Sequence, residues 1–92
     1  MSIDLPPRYI ERFAEEVRHG ISAKAYSEYI STIAKALGKL PDELRVQAQD
    51  ELTKLRVFGQ LLLDDPKRGR EVTATAILKL GGWIEALPDI LP

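Results

Sequence analysis

Residues 2–13, SIDLPPRYIERF, decide how this chain begins. Ile3 and Leu5 alternate with Ser2 and Asp4, which is the two-residue period of a strand. Pro6-Pro7 breaks that pattern, and from Tyr9 onward the apolar spacing becomes helical. A four-residue strand cannot hold itself, because even a complete two-stranded hairpin is marginal in water. No other stretch reads as a strand that could pair with it. The alternation therefore predicts a short N-terminal strand and leaves open what it pairs with.

Outward from that stretch everything reads as helix. The first helix is expected from Pro7, whose fixed φ and missing N–H suit a first turn, to just before Gly20. Ile10, Phe13 and Val17 form its apolar side, flanked by Tyr9 and Ala14. Ser22 is the N-cap of a second helix, a position worth about 1 kcal/mol over alanine. That helix carries Ala25, Tyr26, Tyr29, Ile30, Ile33, Ala36 and Leu37, a stripe wide enough to be buried on two sides, and Gly38 closes it. Pro41 with Asp42 and Glu43 starts a third helix, since acids suit the positive end of the helix dipole. Leu44, Ala48, Leu52, Leu55 and Leu62 line it, and Val57, Phe58 and Leu61 widen its face. It runs to about Leu63, where Asp64-Asp65-Pro66 stops it, because a residue before proline resists helical geometry. Lys67-Arg68-Gly69-Arg70 reads as a basic turn. A fourth helix is expected from about Arg70 to Leu87 with Val72, Ala76, Ile77, Leu80, Trp83, Ile84 and Leu87 on one face, ended by Pro88. Gly81-Gly82 inside it predicts a kink or a close helix contact.

Ninety-two residues make one small domain, one that buries only roughly 60–65% of the surface its unfolded chain exposes. With 45% apolar and 29% charged residues, the chain belongs with globular rather than disordered sequences. The absence of cysteine excludes disulfides and thiolate chemistry. No apolar run approaches the roughly 20 residues of a membrane span, and MSIDLPPR lacks the layout of a signal peptide. A cytoplasmic location and no membrane partner are expected. Net charge is −1, and the charges are even along the chain: five basic and five acidic residues over 1–38, four and four over 39–63, four and five over 64–92. No basic arm of the kind nucleic acid attracts is present.

Catalytic chemistry is poorly provided for. His19 and Glu15 are one helical turn apart, but two ligands do not make a metal site. Asp64-Asp65 beside a proline reads as a helix stop rather than an acid–base pair. No glycine-rich phosphate loop and no serine–histidine–acid set is recommended by the spacing. The chain is expected to be no enzyme, with no cofactor, no metal and no catalytic residue. Tyr26 and Tyr29 could stack on bases, and Lys67, Arg68 and Arg70 could grip phosphate. At these spacings, however, tyrosines are more often core and a short basic turn more often solvated surface.

The segment LPPRYIERFAEEVRHGISAKAY, Leu5 to Tyr26, resembles the ribbon-helix-helix module of accessory proteins in conjugative relaxosomes, of the TraJ and MobC type. There a Leu-Pro ends the strand, and a glycine, a small apolar residue and Ser-x-x-Ala-Tyr open the second helix. Leu5-Pro6, Gly20-Ile21, Ser22 and Ala25-Tyr26 stand at similar spacing. DELTKLRVFGQLLLDDP and ATAILKLGGWIE are similar to that family's helical C-terminal segment. The resemblance implies a mainly helical protein: a ribbon-helix-helix-like module over 1–38, and a helical extension over 39–92 packed into the same domain. It implies a homodimer joined by an intermolecular ribbon, with Ile3, Leu5, Tyr26, Tyr29, Ile30 and Ile33 at the interface. It further implies duplex DNA at a transfer origin as ligand and a relaxase as protein partner. Ser2 and Asp4 would face the groove, where an aspartate can accept from a cytosine amine. Ser22 and Lys24 would hold phosphate, with Lys67, Arg68 and Arg70 as a second patch. The rival expectation, which the near-neutral charge and two wide apolar helix faces favour, is a small helical module that binds another protein as an inhibitor, antitoxin, chaperone or adaptor.

Overall fold

Local sequence sets each helix boundary. In the computed structural model, which describes residues 5, 6 and 8–90, four helices follow one another: α1 (Tyr9–His19), α2 (Ala23–Leu37), α3 (Asp42–Asp64) and α4 (Pro66–Ile90). Ser22 caps α2 as its sequence predicts, its Oγ accepting from the Ala25 amide at 3.1 Å. Gly20, at φ 102°, makes the turn between α1 and α2, a conformation that costs any residue with a Cβ. Asp65 alone separates α3 from α4. Its amide donates to Leu61 O at 2.8 Å, closing α3, and its carboxylate accepts from the Arg68 amide at 3.4 Å, opening α4.

The fourth helix therefore begins earlier than its sequence suggests. Pro66 stands at its first position, where no amide is needed, and Lys67, Arg68 and Arg70 lie in its opening turns rather than in a loop. At the other end the helix continues through Pro88 to Ile90. A proline in a last turn forfeits one backbone hydrogen bond and leaves the rest of the helix intact.

The expected N-terminal ribbon must be corrected. The described residues are all-helical and contain no strand. Ser2, Ile3 and Asp4 lie outside the described residues. Leu5 and Pro6 have no regular structure, and Leu5 is half-buried against its own chain, in a crevice with Tyr9 and Ile10 of α1 and Leu78 and Gly81 of α4. Pro6 O accepts from the Tyr9 amide at 3.2 Å, and Arg8 between them lies in the left-handed region at φ 62°. Leu5 thus packs within its own chain, and no second chain is needed to explain where it goes.

Packing follows from the faces. α1 lies along α4, α4 along α3 and α3 along α2, while α1 and α2 meet mainly through their aromatic rings. One core joins all four, with Phe13, Ile33, Leu37, Leu55, Ile77, Leu80 and Leu87 essentially without solvent exposure. Because α4 is covered by both α1 and α3, its buried side is Thr73, Ala74, Ile77, Leu80 and Leu87. Val72, expected inside, is 40% exposed. Gly81 lets α1 approach, since a Cβ there would come 2.9 Å from Ile10 Cγ2. That is the close helix contact that Gly81-Gly82 predicts.

Thr73 is fully buried, and its hydroxyl has no hydrogen-bond partner among the described residues. An unmet buried hydroxyl costs about 1–3 kcal/mol. Thr73→Val keeps the shape and removes that cost, so it should raise the unfolding free energy by about 1 kcal/mol. A urea titration of the two proteins measures this, and a less stable valine variant would mean that the hydroxyl is satisfied in solution.

Candidate functional site

Two helices that cross antiparallel leave a seam, and its depth depends on the side chains along it. From Ser22, the cap of α2, the residues along one edge of the groove are small and exposed: Ala23, Ser27 and Ser31, beside the buried Tyr26 and Ile30. On α3 the facing position is Gly59, where a Cβ would come 2.7 Å from the Tyr26 ring. With no side chain there, Tyr26 lies down across α3 and its hydroxyl donates to Leu55 O. The result is a groove of about 430 Å³ between α2, α3 and the first turns of α4. Tyr26, Ile30 and Leu62 form its apolar floor, and Arg56 and Arg70 stand at its edges.

The charge of this groove differs from that of the chain. Among the described residues that line it, the only ionisable groups besides Tyr26 are the two arginines, with no aspartate, glutamate or histidine. Among the described residues neither guanidinium has a carboxylate within ion-pair distance, whereas Arg8 pairs with Glu11 at 3.0 Å, Lys54 with Glu51 at 3.2 Å and Arg45 with Asp42. Arg70 reaches across the α1–α2 turn, where a Cβ at Gly20 would lie 3.4 Å from its Nη2. The seam continues past Arg56 into a smaller hollow of about 310 Å³, bordered by Arg45 and again without a carboxylate. On the opposite side of α3 lies a wider crevice of about 990 Å³ shared with α4. There Phe58 and Trp83 are surrounded by both signs of charge, Asp50, Glu51 and Glu71 with Lys54 and Lys79.

Of the residues expected to bind DNA, Ser22 and Arg70 meet in the groove. Lys24 stands beside a shallow depression on the outer side of α2 with Glu28, and Lys67 and Arg68 are exposed outside the groove. Ser2 and Asp4 lie outside the described residues. Of the residues expected at a dimer interface, Tyr26, Ile30 and Ile33 are buried in the chain's own core. Tyr29 is half-buried and stacks on Phe13, centroids 4.6 Å apart and planes 4° apart. Leu5 is packed as described above, and Ile3 is outside the described residues. Sequence reasoning missed Arg56, Gly59 and the serines of α2 as one site. The hint was there in the run Ser22, Ser27, Ser31, Ala34, which keeps one edge of α2 low. His19 approaches Glu15 at 3.9 Å on the surface, and among the described residues no group of three metal-ligating side chains gathers. No described helix is long and apolar enough to cross a membrane.

Tyr26 and Tyr29 of α2 make a pH prediction. Burial raises the Tyr26 phenol far above its ordinary value. Burial first, then a hydrogen bond to Glu16 and that residue's charge, push Tyr29 up to about 12. Both are acids held neutral by folding, so between their ordinary value, about 10, and the raised one the folded chain binds protons that the unfolded chain has lost. Stability is then full below pH 10 and falls as the pH rises through that window. The Tm should be level from pH 8 to 9.5 and decline above 10, and Tyr26→Phe should soften the decline. A Tm unchanged up to pH 11.5 would show that neither phenol resists ionisation.

Comparison with known proteins finds no match to this chain, whether among protein families, curated proteins or solved structures.

Proposed function

We propose that this chain is a non-catalytic recognition module that receives a segment of another protein in the groove between α2 and α3. The observation that carries the reading is the groove itself: an apolar floor under open solvent, bordered by two arginines that have no carboxylate within ion-pair distance among the described residues. A concave apolar surface with a few convergent polar groups is the usual form of a binding site, and helices seated in grooves are a common mode of protein recognition. Its lining of serines and an apolar floor supports binding through contact and hydrogen bonding. The even distribution of charge along the sequence also supports a protein partner over a long polyanion.

Two bulky substitutions at exposed helical positions test this. Ser31→Trp fills the groove, and Thr75→Trp fills the opposite crevice. Each variant, immobilised in parallel with the unaltered chain, is exposed to lysate, and the retained proteins are compared quantitatively. The expected result is a partner held equally by the unaltered chain and Thr75→Trp and lost from Ser31→Trp. Equal retention by both variants, or loss from Thr75→Trp alone, would contradict the assignment.

A further inference from the structure

Resting on the groove reading above, we infer that the segment bound there is an acidic amphipathic helix, its apolar side against Tyr26, Ile30 and Leu62 and its carboxylates reaching Arg56 and Arg70. Length comes first. The groove follows α2 from Ser22 to Ser31, about 14 Å at the rise of an α-helix, so a helix of about ten residues spans it. Its walls are also helices, and a third helix packed on two others buries an apolar stripe while satisfying its own backbone, which an extended segment lying here does not.

Charge then selects the sign of the occupant. Arginine presents a planar fork that takes a carboxylate through two hydrogen bonds. A guanidinium at the rim of an apolar groove is partly shielded from water once the groove is filled, and the pair then gains over one in open solvent. A basic segment meets two cations and, among the described residues lining the groove, no carboxylate; like charges brought together across an interface cost several kcal/mol. Arg45, farther along the same seam, already holds Asp42, an acidic residue of α3's own first turn. That is the same pairing in miniature.

Duplex DNA is the other polyanion that arginines recognise, but it fits this surface less well. Among the described residues only two arginines line the groove, and its floor is apolar. Phosphate backbones are bound through many cations at once.

Fluorescence anisotropy with the full chain tests the inference. The probe is a labelled helical peptide of about fourteen residues with three leucines on one face and glutamates along both edges. It is compared with its glutamine and lysine counterparts and with a short labelled duplex. The glutamate peptide should bind at least tenfold tighter than the glutamine peptide at low salt and lose most of that advantage at high salt. The lysine peptide should not bind. Arg56→Gln combined with Arg70→Gln changes two exposed side chains, so the fold is retained, and this variant should bind the glutamate and glutamine peptides alike. Equal binding of those two peptides by the unaltered chain, blocked by Ser31→Trp, would overturn the acidic preference and leave the groove reading standing. Binding of neither, or binding untouched by Ser31→Trp, would overturn both. Tighter binding of the duplex, lost with the two arginines, would assign the groove to nucleic acid instead.

Discussion

Phe13→Ala is expected to lower the unfolding free energy by about 4 kcal/mol, in the middle of the range for removal of a buried aromatic ring. The ring has no solvent exposure. It stacks on Tyr29 at 4.6 Å and meets Tyr26 edge-on at 5.2 Å, and Tyr9 lies 5.1 Å from Tyr29 in turn. Removing it leaves a cavity that the neighbouring helices close only in part, and it also forfeits two aromatic pairs worth about 0.5–1.5 kcal/mol each. A domain of this length has roughly 5–14 kcal/mol in all, so the variant should melt roughly 15–30 °C lower. The same ring joins α1 to α2, and Tyr26 is the floor of the groove, so any groove ligand should bind the variant more weakly even where it remains folded. Thermal denaturation followed by circular dichroism measures the first effect. A shift of only a few degrees would mean that the aromatic cluster is not the joint between these helices.

The second large effect separates two glycines of one helix. At Gly69 an added Cβ would come 2.9 Å from the Leu62 Cα and 3.0 Å from its amide nitrogen. Those are backbone atoms of α3, held beside α4 by the single-residue link at Asp65, and they cannot turn aside as a side-chain tip can. Gly69→Ala should therefore push α3 and α4 apart at their junction and cost about 2–3 kcal/mol, as overpacking does. At Gly82 nothing lies within 4 Å of the same added carbon. Gly82→Ala there should only gain the helix propensity of alanine, about 1 kcal/mol of added stability. Opposite signs from one substitution on one helix are the expected outcome of paired urea titrations. Equal signs would contradict the close approach at Gly69.

How far the sequence reaches is clearest at the helix junctions. Gly20-Ile21-Ser22 and Ala25-Tyr26, the residues that carry the resemblance to relaxosome proteins, form a turn, a cap and the first inward ring of α2. Those roles are local, and local chemistry is legible. The N-terminal strand was a different matter, because four alternating residues cannot distinguish a strand from a turn that tucks one leucine into a crevice. Periodicity read most of the inward face of α4, with Ile77, Leu80 and Leu87 in the core and Ala76, Trp83 and Ile84 packed on it, but a helix covered from two sides turns Thr73 and Ala74 inward as well and leaves Val72 outside. The start of α4 was hidden because Asp65-Pro66 reads as a stop, whereas here the same aspartate ends one helix and caps the next. Least visible was the groove. Its arginines are fourteen residues apart in sequence, and a net charge of −1 gives no sign that the described lining of one groove holds arginines and no carboxylate. That asymmetry exists only once α2, α3 and α4 are packed.

The most direct test of the account is a map of backbone amide shifts in the isotope-labelled chain as the glutamate peptide is added. Shifts should concentrate at Ser27, Ser31, Gly59 and Gln60 and at the Nε signals of Arg56 and Arg70, while Thr75 and Lys79 on the opposite crevice stay in place. Shifts centred on Thr75, Lys79 and the Trp83 indole, with Gly59 and Arg56 unmoved, would contradict it.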